Sequence, residues 1–165
     1  MDTNRILNHL KVPRWVAYRA FSRATRDRIE QAIRDSEQAH DGELRFAIEA
    51  GLPVGPLLKG VTSRQRALDA FARLGVANTR HASGVLIYVQ LVDRCIEIVA
   101  DHGISSKVSQ DTWDQVCRRM EAAFRAGDFE GGSLAGIAEI TTLLTRHFPP
   151  SGANPDELPN RPVML

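Results

Sequence analysis

The sequence predicts an α/β domain: a three-layer α-β-α sandwich around a small mixed sheet, with the first strand parallel to the central strand of a β-hairpin. Two observations predict it. Residues 84–91 are apolar at Val85, Ile87, Val89 and Leu91 on one face and at Leu86 and Tyr88 on the other. A strand apolar on both faces is covered on both, so helices must flank the sheet. Residues 95–100 follow after the short turn Val92-Asp93-Arg94 and put Ile96, Ile98 and Ala100 on one face, which completes a hairpin.

The remaining elements follow in chain order. Residues 1–13 are mixed, have no clear period and end in Pro13; residues 14–21 are basic and aromatic and read as a short helix or turn. Ser22 is placed to cap a helix over 23–39 whose stripe is Thr25, Ile29, Ala32, Ile33 and Ser36. His40-Asp41-Gly42 ends it. Residues 43–49 then alternate, with Leu44, Phe46 and Ile48 facing one way, and form a strand. Residues 51–61 are rich in Gly and Pro and read as a loop. Thr62 and Gln65 have capping-box spacing, and the helix after them carries Ala67, Leu68, Phe71 and Leu74 on one face. Beyond the hairpin, Ser109 is placed to cap a helix with Trp113, Val116, Cys117, Met120 and Phe124 on one stripe. A last helix from Asp128 carries Leu134, Ile137, Ile140, Thr141 and Leu144. The organisation is thus a basic aromatic arm (1–21), one domain (22–148) and a Pro-rich extended tail (149–165).

Composition narrows the function classes. The chain has 165 residues, 43% hydrophobic and 25% charged, with a net charge of +1. That balance gives no electrostatic argument for nucleic acid. No apolar run is long enough to span a membrane and no signal peptide is visible, so a cytoplasmic location is expected. Cys95 and Cys117 lack metal-ligand spacing, which fits ordinary burial in a reducing compartment. The charge is uneven, however: the first 28 residues hold seven Lys/Arg against Asp2 and Asp27.

Several stretches carry a family resemblance. They are Gly42-Glu43-Leu44-Arg45-Phe46-Ala47-Ile48-Glu49, the run Gly84-Val85-Leu86-Ile87-Tyr88-Val89, the run from Arg94 to Ile104, and Met120-Glu121-Ala122-Ala123-Phe124-Arg125 with Gly127-Asp128-Phe129. With the element order, they resemble the TPM domain family over about residues 22–148. The resemblance implies the sandwich fold and, for some members, acid phosphatase activity with a bound calcium ion. This chain has no Asp or Glu in residues 15–21, where the family is acidic before its first helix, and has Ala82-Ser83 where the family has Asp-Asn before the hairpin glycine.

Two places are candidates for function. A hairpin sets the start of its first strand beside the end of its second, and a right-handed crossover from 43–49 to 84–91 makes those strands parallel. His40, Asp41, Glu43, His81, Asp101 and His102 therefore share one rim. In one reading Asp41, Glu43 and Asp101 hold calcium or magnesium and His81 or His102 transfers a proton, as in a phosphatase-like hydrolase. In the other, which the turn-forming residue types favour, the rim is solvated turns. The second place is the arm, where Arg14, Trp15, Tyr18, Arg19 and Arg23 would contact a protein partner or an anionic membrane surface. Against that stands burial of Trp15, Tyr18 and Phe21 with the arginines solvated. The reading taken forward is a non-enzymatic binding or accessory module, with the metal-dependent phosphatase as alternative.

Overall fold

The computed structural model describes residues 3–152 and 155–165. Residues 1–2 of the expected arm and 153–154 of the expected tail lie outside the described residues. The elements are α1 (Thr3–Lys11), α2 (Trp15–Ala20), α3 (Arg23–Glu37), β1 (Glu43–Glu49), α4 (Val54–Leu58) and α5 (Ser63–Arg73). They continue as β2 (Gly84–Gln90), β3 (Cys95–Ala100), α6 (His102–Ser105), α7 (Gln110–Arg125), α8 (Phe129–His147) and β4 (Val163–Met164).

The four strands form one mixed sheet in the order β3-β2-β1-β4. β1 runs parallel to β2 with Glu43 opposite Gly84, and β2 runs antiparallel to β3 with Val85 opposite Ala100. Arg94 closes the hairpin turn with a φ of 51°. The alternation read from the sequence splits the core in two. Leu44, Phe46, Ile48, Val85, Ile87, Val89, Ile96 and Ile98 pack on α3, α7 and α8 through Ile29, Ile33, Trp113, Val116, Met120, Ile137, Ile140 and Leu144. The opposite face, Ala47, Leu86, Tyr88 and Val99, packs on Ala67 and Ala70 of α5, with Val76 and Leu158. Every residue of β1 and β2 is buried, the pattern of strands covered from both sides.

Side chains set the helix starts. The hydroxyls of Ser22, Thr62 and Ser109 accept the backbone N–H of Thr25, Gln65 and Thr112. Thr62 and Gln65 complete the reciprocal capping box. Asp128 accepts from the N–H of Gly131 and starts α8.

The structure differs from the sequence reading at four points. Residues 3–11 are helical, held by His9, which is buried. Residues 54–58 form one short helix inside the expected loop. α5 buries Arg66, Ala67 and Ala70, while Leu68 is 46% exposed; the buried Glu49 carboxylate beneath the helix draws Arg66 inward and turns Leu68 out. The segment after Pro150 is extended but not loose: Leu158, Asn160 and Pro162 are buried, and Ala47 of β1 pairs with Val163 of β4. Arg45 is held by this segment, donating to the carbonyls of Pro159 and Arg161. Glu97 of β3 faces Arg64 at 3.5 Å.

Candidate functional site

The strand register brings 40–43, 81–84 and 101–103 to one end of the sheet. The Asp101 N–H donates to the Gly84 carbonyl at 2.9 Å, and the Gly103 N–H to the Ala82 carbonyl at 2.9 Å. The Ser83 hydroxyl donates to the Asp41 carbonyl at 3.4 Å. Most side chains at this rim are engaged with the fold, while His81 and His102 are exposed. His40 is fully buried; its Nδ1 accepts the Gly42 N–H at 3.1 Å and its Nε2 meets the Ser36 hydroxyl at 2.8 Å. Burial pushes its pKa down. Both Asp41 oxygens accept the Ser151 N–H at 3.1 Å, and Ser151 holds this carboxyl below its ordinary value. Asp101 caps α6 through the His102 N–H at 2.7 Å and meets His102 Nδ1 at 3.0 Å. His81 is exposed and lies against the Phe148 ring, centroids 6.5 Å apart.

Glu43 turns away from this group. It faces the α5 side of the sheet and accepts the N–H groups of Glu157 and Leu158 at 3.4 and 3.2 Å. Asp41 and Glu43 are thus bound at separate points of the C-terminal segment and Asp101 at the start of α6, and the three offer no converging set of oxygens. They do not fit a calcium or magnesium ion, which takes several oxygens at once, and no catalytic step is derived through one.

The carboxylates that the fold does bring together are Glu37, Glu43 and Asp156, with ligand oxygens all within 4.8 Å of one another. Burial, with repulsion from Glu43, pushes Glu37 up to about 8. Burial likewise pushes Glu43 up to about 7, against the two N–H bonds that favour its anion. The sequence carried half of this signal. Glu37 ends a helix and Glu43 opens the next strand, so a tight connection sets them side by side. Asp156 comes from the Pro-rich segment, which sequence reading left without a partner.

The other end of the sheet carries the arm. α1 is pinned over the hairpin turn by Asp93. This carboxylate accepts Arg5 Nε and Nη2 at 3.0 and 2.8 Å, His9 Nε2 at 3.0 Å and the Ser63 hydroxyl at 3.0 Å. His9 Nδ1 accepts the Leu52 N–H at 3.0 Å, so the ring proton sits on Nε2 and points at Asp93. Burial alone would raise the Asp93 carboxyl; the bonds from Arg5, His9 and Ser63 outweigh it and hold it at about 2. A depressed carboxyl stabilises the fold above its ordinary value of 3.8, and that contribution is lost as the pH falls through 2. Asp93→Asn is therefore expected to cost about 2 kcal/mol at pH 7 and to flatten the acid limb between about pH 4 and 2. Thermal denaturation against pH measures this; an acid limb unchanged from the parent's would refute it.

α2 divides the arm's aromatics. Phe21 is fully buried, with the Phe46, Phe124 and Phe129 rings 5.4–6.1 Å away. Trp15 is 58% and Tyr18 45% exposed. The sequence expectation that all three dock fails because a helix this short buries a single face, Ala17 and Phe21, four residues apart. The Arg26 guanidinium lies 5.1 Å over the Tyr18 ring. Arg14 and Arg19 are exposed, and Arg23 faces Asp27 at 4.0 Å. Beside α2 a cavity of about 540 Å³ is lined by Val16, Ala20, Leu91, Ile96, Phe124 and Phe129, among others, with Arg94 and Arg125 at its wall. Cys95, also in its lining, and Cys117 are free thiols that burial pushes up to about 11 and about 12, which keeps them in the unreactive protonated form.

Among the described residues no helix is long and apolar enough to cross a membrane. No curated protein matches the chain. The fold is similar to the NMR structure of the BA42 protein from the psychrophilic bacterium Bizionia argentinensis. The identity is 33% and the TM-score 0.75, over 86% of this chain and 93% of that one. It is also similar to the N-terminal domain of a P. gingivalis protein, at 18% identity and a TM-score of 0.62, over 84% and 94% of the two chains; this second likeness concerns the fold alone. The model of the TPM domain matches residues 17–143, which span β1, the β2–β3 hairpin and the helices α3 to α7 together with most of α8, and the chain belongs to the TPM domain family.

Proposed function

We propose that this protein is a cytoplasmic binding or accessory module that acts through a protein partner seated on α2 and the adjoining cavity. The observation that carries the reading is the exposed pair Trp15 and Tyr18 beside an apolar-walled cavity. Large aromatics left in solvent next to a concave apolar surface are typical anchors of an interface. Arg14, Arg19 and Arg94, with Arg125 facing Glu121 of the same lining, leave that surface with an excess of positive charge and favour a partner segment with acidic residues. The free thiols Cys95 and Cys117 suit a reducing compartment. At the opposite end, the side chains of His40, Asp41, Glu43 and Asp101 are already bonded within the fold.

The test compares the full chain with a Trp15→Ala/Tyr18→Ala variant. The variant is expected to keep the parent melting temperature and to lose the proteins that the parent captures reproducibly. Identical capture by both forms would remove the arm from the function. Vesicles of phosphatidylglycerol and phosphatidylcholine form a second arm, and binding to them in place of any protein would replace the partner by a membrane surface. Turnover of a phosphate ester with calcium or magnesium, abolished by His81→Ala or His102→Ala, would overturn the reading in favour of the phosphatase.

A further inference from the structure

Four aliphatic side chains at the hairpin-turn end of the sheet belong neither to the core nor to the partner surface on α2. Leu7 and Leu10 of α1 are 44% and 54% exposed, and Val54 and Leu58 of α4 are 53% and 55% exposed. Members of each pair lie three or four positions apart and share one helix face. The opposite faces are the anchored ones, with His9 buried on α1 and Leu57 on α4. The two helices are neighbours. The His9 carbonyl lies so close to Gly51 that a Cβ there would come within 2.8 Å of its oxygen. Arg5 donates to the Val61 carbonyl at 3.2 Å. α1 is thus held along residues 51–61 with its leucines outward.

Charge supplies an independent observation. Residues 3–26 and 50–68, the two stretches that carry these helices, contain nine Lys and Arg and no Asp or Glu. Asp93, which the hairpin turn brings to this end, is taken up by Arg5, His9 and Ser63. Arg64 and Arg66 turn to Glu97 and Glu49. Lys11 ends α1 and Lys59 follows α4, each directly after an exposed leucine, and both stand in solvent.

Aliphatic side chains bordered by free lysines fit a surface that is apolar just beneath a layer of negative charge. A lysine stem covers apolar ground while its ammonium stays at the level of the phosphates. A second copy of this chain would instead set these lysines against their own equivalents, which repels. A partner peptide is gripped by a concavity, and these four side chains line neither of the cavities beside α1 and α2.

We propose that the outward faces of α1 and α4 rest on an anionic phospholipid bilayer, with Leu7, Leu10, Val54 and Leu58 at the headgroup–acyl boundary and Lys11 and Lys59 on the headgroup phosphates. The contact is peripheral and turns the rim, at the other end of the sheet, away from the lipid. It goes beyond the partner reading and uses none of the side chains assigned to that partner.

The experiment is co-sedimentation of the full chain with vesicles of phosphatidylcholine and phosphatidylglycerol, and with vesicles of phosphatidylcholine alone. The parent is expected to bind the mixed vesicles, less tightly as salt is raised, and to bind phosphatidylcholine at least about tenfold more weakly. Leu7→Gln/Leu10→Gln, Val54→Gln/Leu58→Gln and Lys11→Glu/Lys59→Glu are each expected to weaken binding to the mixed vesicles about tenfold or more. All three should keep the parent melting temperature, since every replaced side chain is exposed. Trp15→Ala/Tyr18→Ala is expected to bind the vesicles as the parent does, so the lipid contact and the protein partner are lost in different variants. No binding of the parent to the mixed vesicles would overturn the proposal. So would vesicle binding that the α1 and α4 variants leave unchanged, vesicle binding lost in Trp15→Ala/Tyr18→Ala alone, or a dimer of the parent that the leucine variants dissolve without lipid.

Discussion

Replacing Arg66 with alanine is expected to cost about 3–5 kcal/mol of stability, because it leaves a buried carboxylate without its counter-charge. Glu49 is 1% exposed and Arg66 8%. The guanidinium grips both Glu49 oxygens, Nε at 3.2 and 3.0 Å and Nη2 at 2.7 Å. The buried Tyr88 hydroxyl donates to the same carboxylate. Burial, followed by the Glu49 charge, holds the Tyr88 phenol well above its ordinary value, so it remains a donor. The hydrogen bond to Glu49 in turn raises the Arg66 pKa, against its partial burial. For a domain of this size the loss corresponds to a fall in melting temperature of about 10 °C. Glu49→Gln/Arg66→Met removes both charges and is expected to recover most of it. Circular dichroism melting curves of the two variants decide the matter. An Arg66→Ala protein that melts within about 2 °C of the parent would show that Glu49 reaches water when the arginine is gone.

Gly84→Ala is the other substitution expected to be severe. A Cβ at Gly84 would run into the carbonyl oxygen of Val76 and crowd its side chain. The obstacle is backbone and has no rotamer to retreat into. Gly84 is also fixed by its neighbours, opposite Glu43 in β1 and accepting the Asp101 N–H at 2.9 Å. Overpacking at so constrained a point is expected to cost at least about 3 kcal/mol and to lower the melting temperature by about 6–12 °C. Gly55→Ala is the control, since nothing lies within 4 Å of the Cβ it would add; it is expected to leave stability unchanged or slightly raised. Equal melting of Gly84→Ala and the parent would refute the steric account. The glycine that opens the hairpin is thus required by the close approach of residue 76, whatever chemistry the neighbouring rim performs.

Those residues also mark what a single sequence discloses. The strands were legible because both faces of 84–91 are apolar and 43–49 alternates. Trp113, Val116 and Met120 were legible because they recur at helical spacing. Features that depend on distant partners were not. α1 carries Ile6, Leu7 and Leu10 on one side, yet Leu7 and Leu10 stay exposed and the residue it buries is His9; a polar anchor, Asp93, which lies across the hairpin turn, seats it. The buried face of α5 was misjudged because Arg66 looks like a solvent residue until Glu49 is known to sit beneath it. The rim was placed correctly in space by strand pairing, yet pairing says nothing about which hydrogen bonds occupy each side chain. Glu43 was named without its companions, since Asp156, Glu157 and Leu158 reach it from a proline-rich segment that has no periodicity to read.

β4 is only two residues long, but its position has a consequence for any shortened form of the chain. β1 is buried along its whole length, and Val163 and Met164 are what separate it from being an outer strand. A chain cut after Phe148 would present the flank of β1, with the unpaired N–H and C=O groups of an apolar strand, to other molecules. Open flanks of that kind template intermolecular pairing. The last residues thus act as a guard against self-association as well as a covering for Arg45 and the carboxylates beneath them.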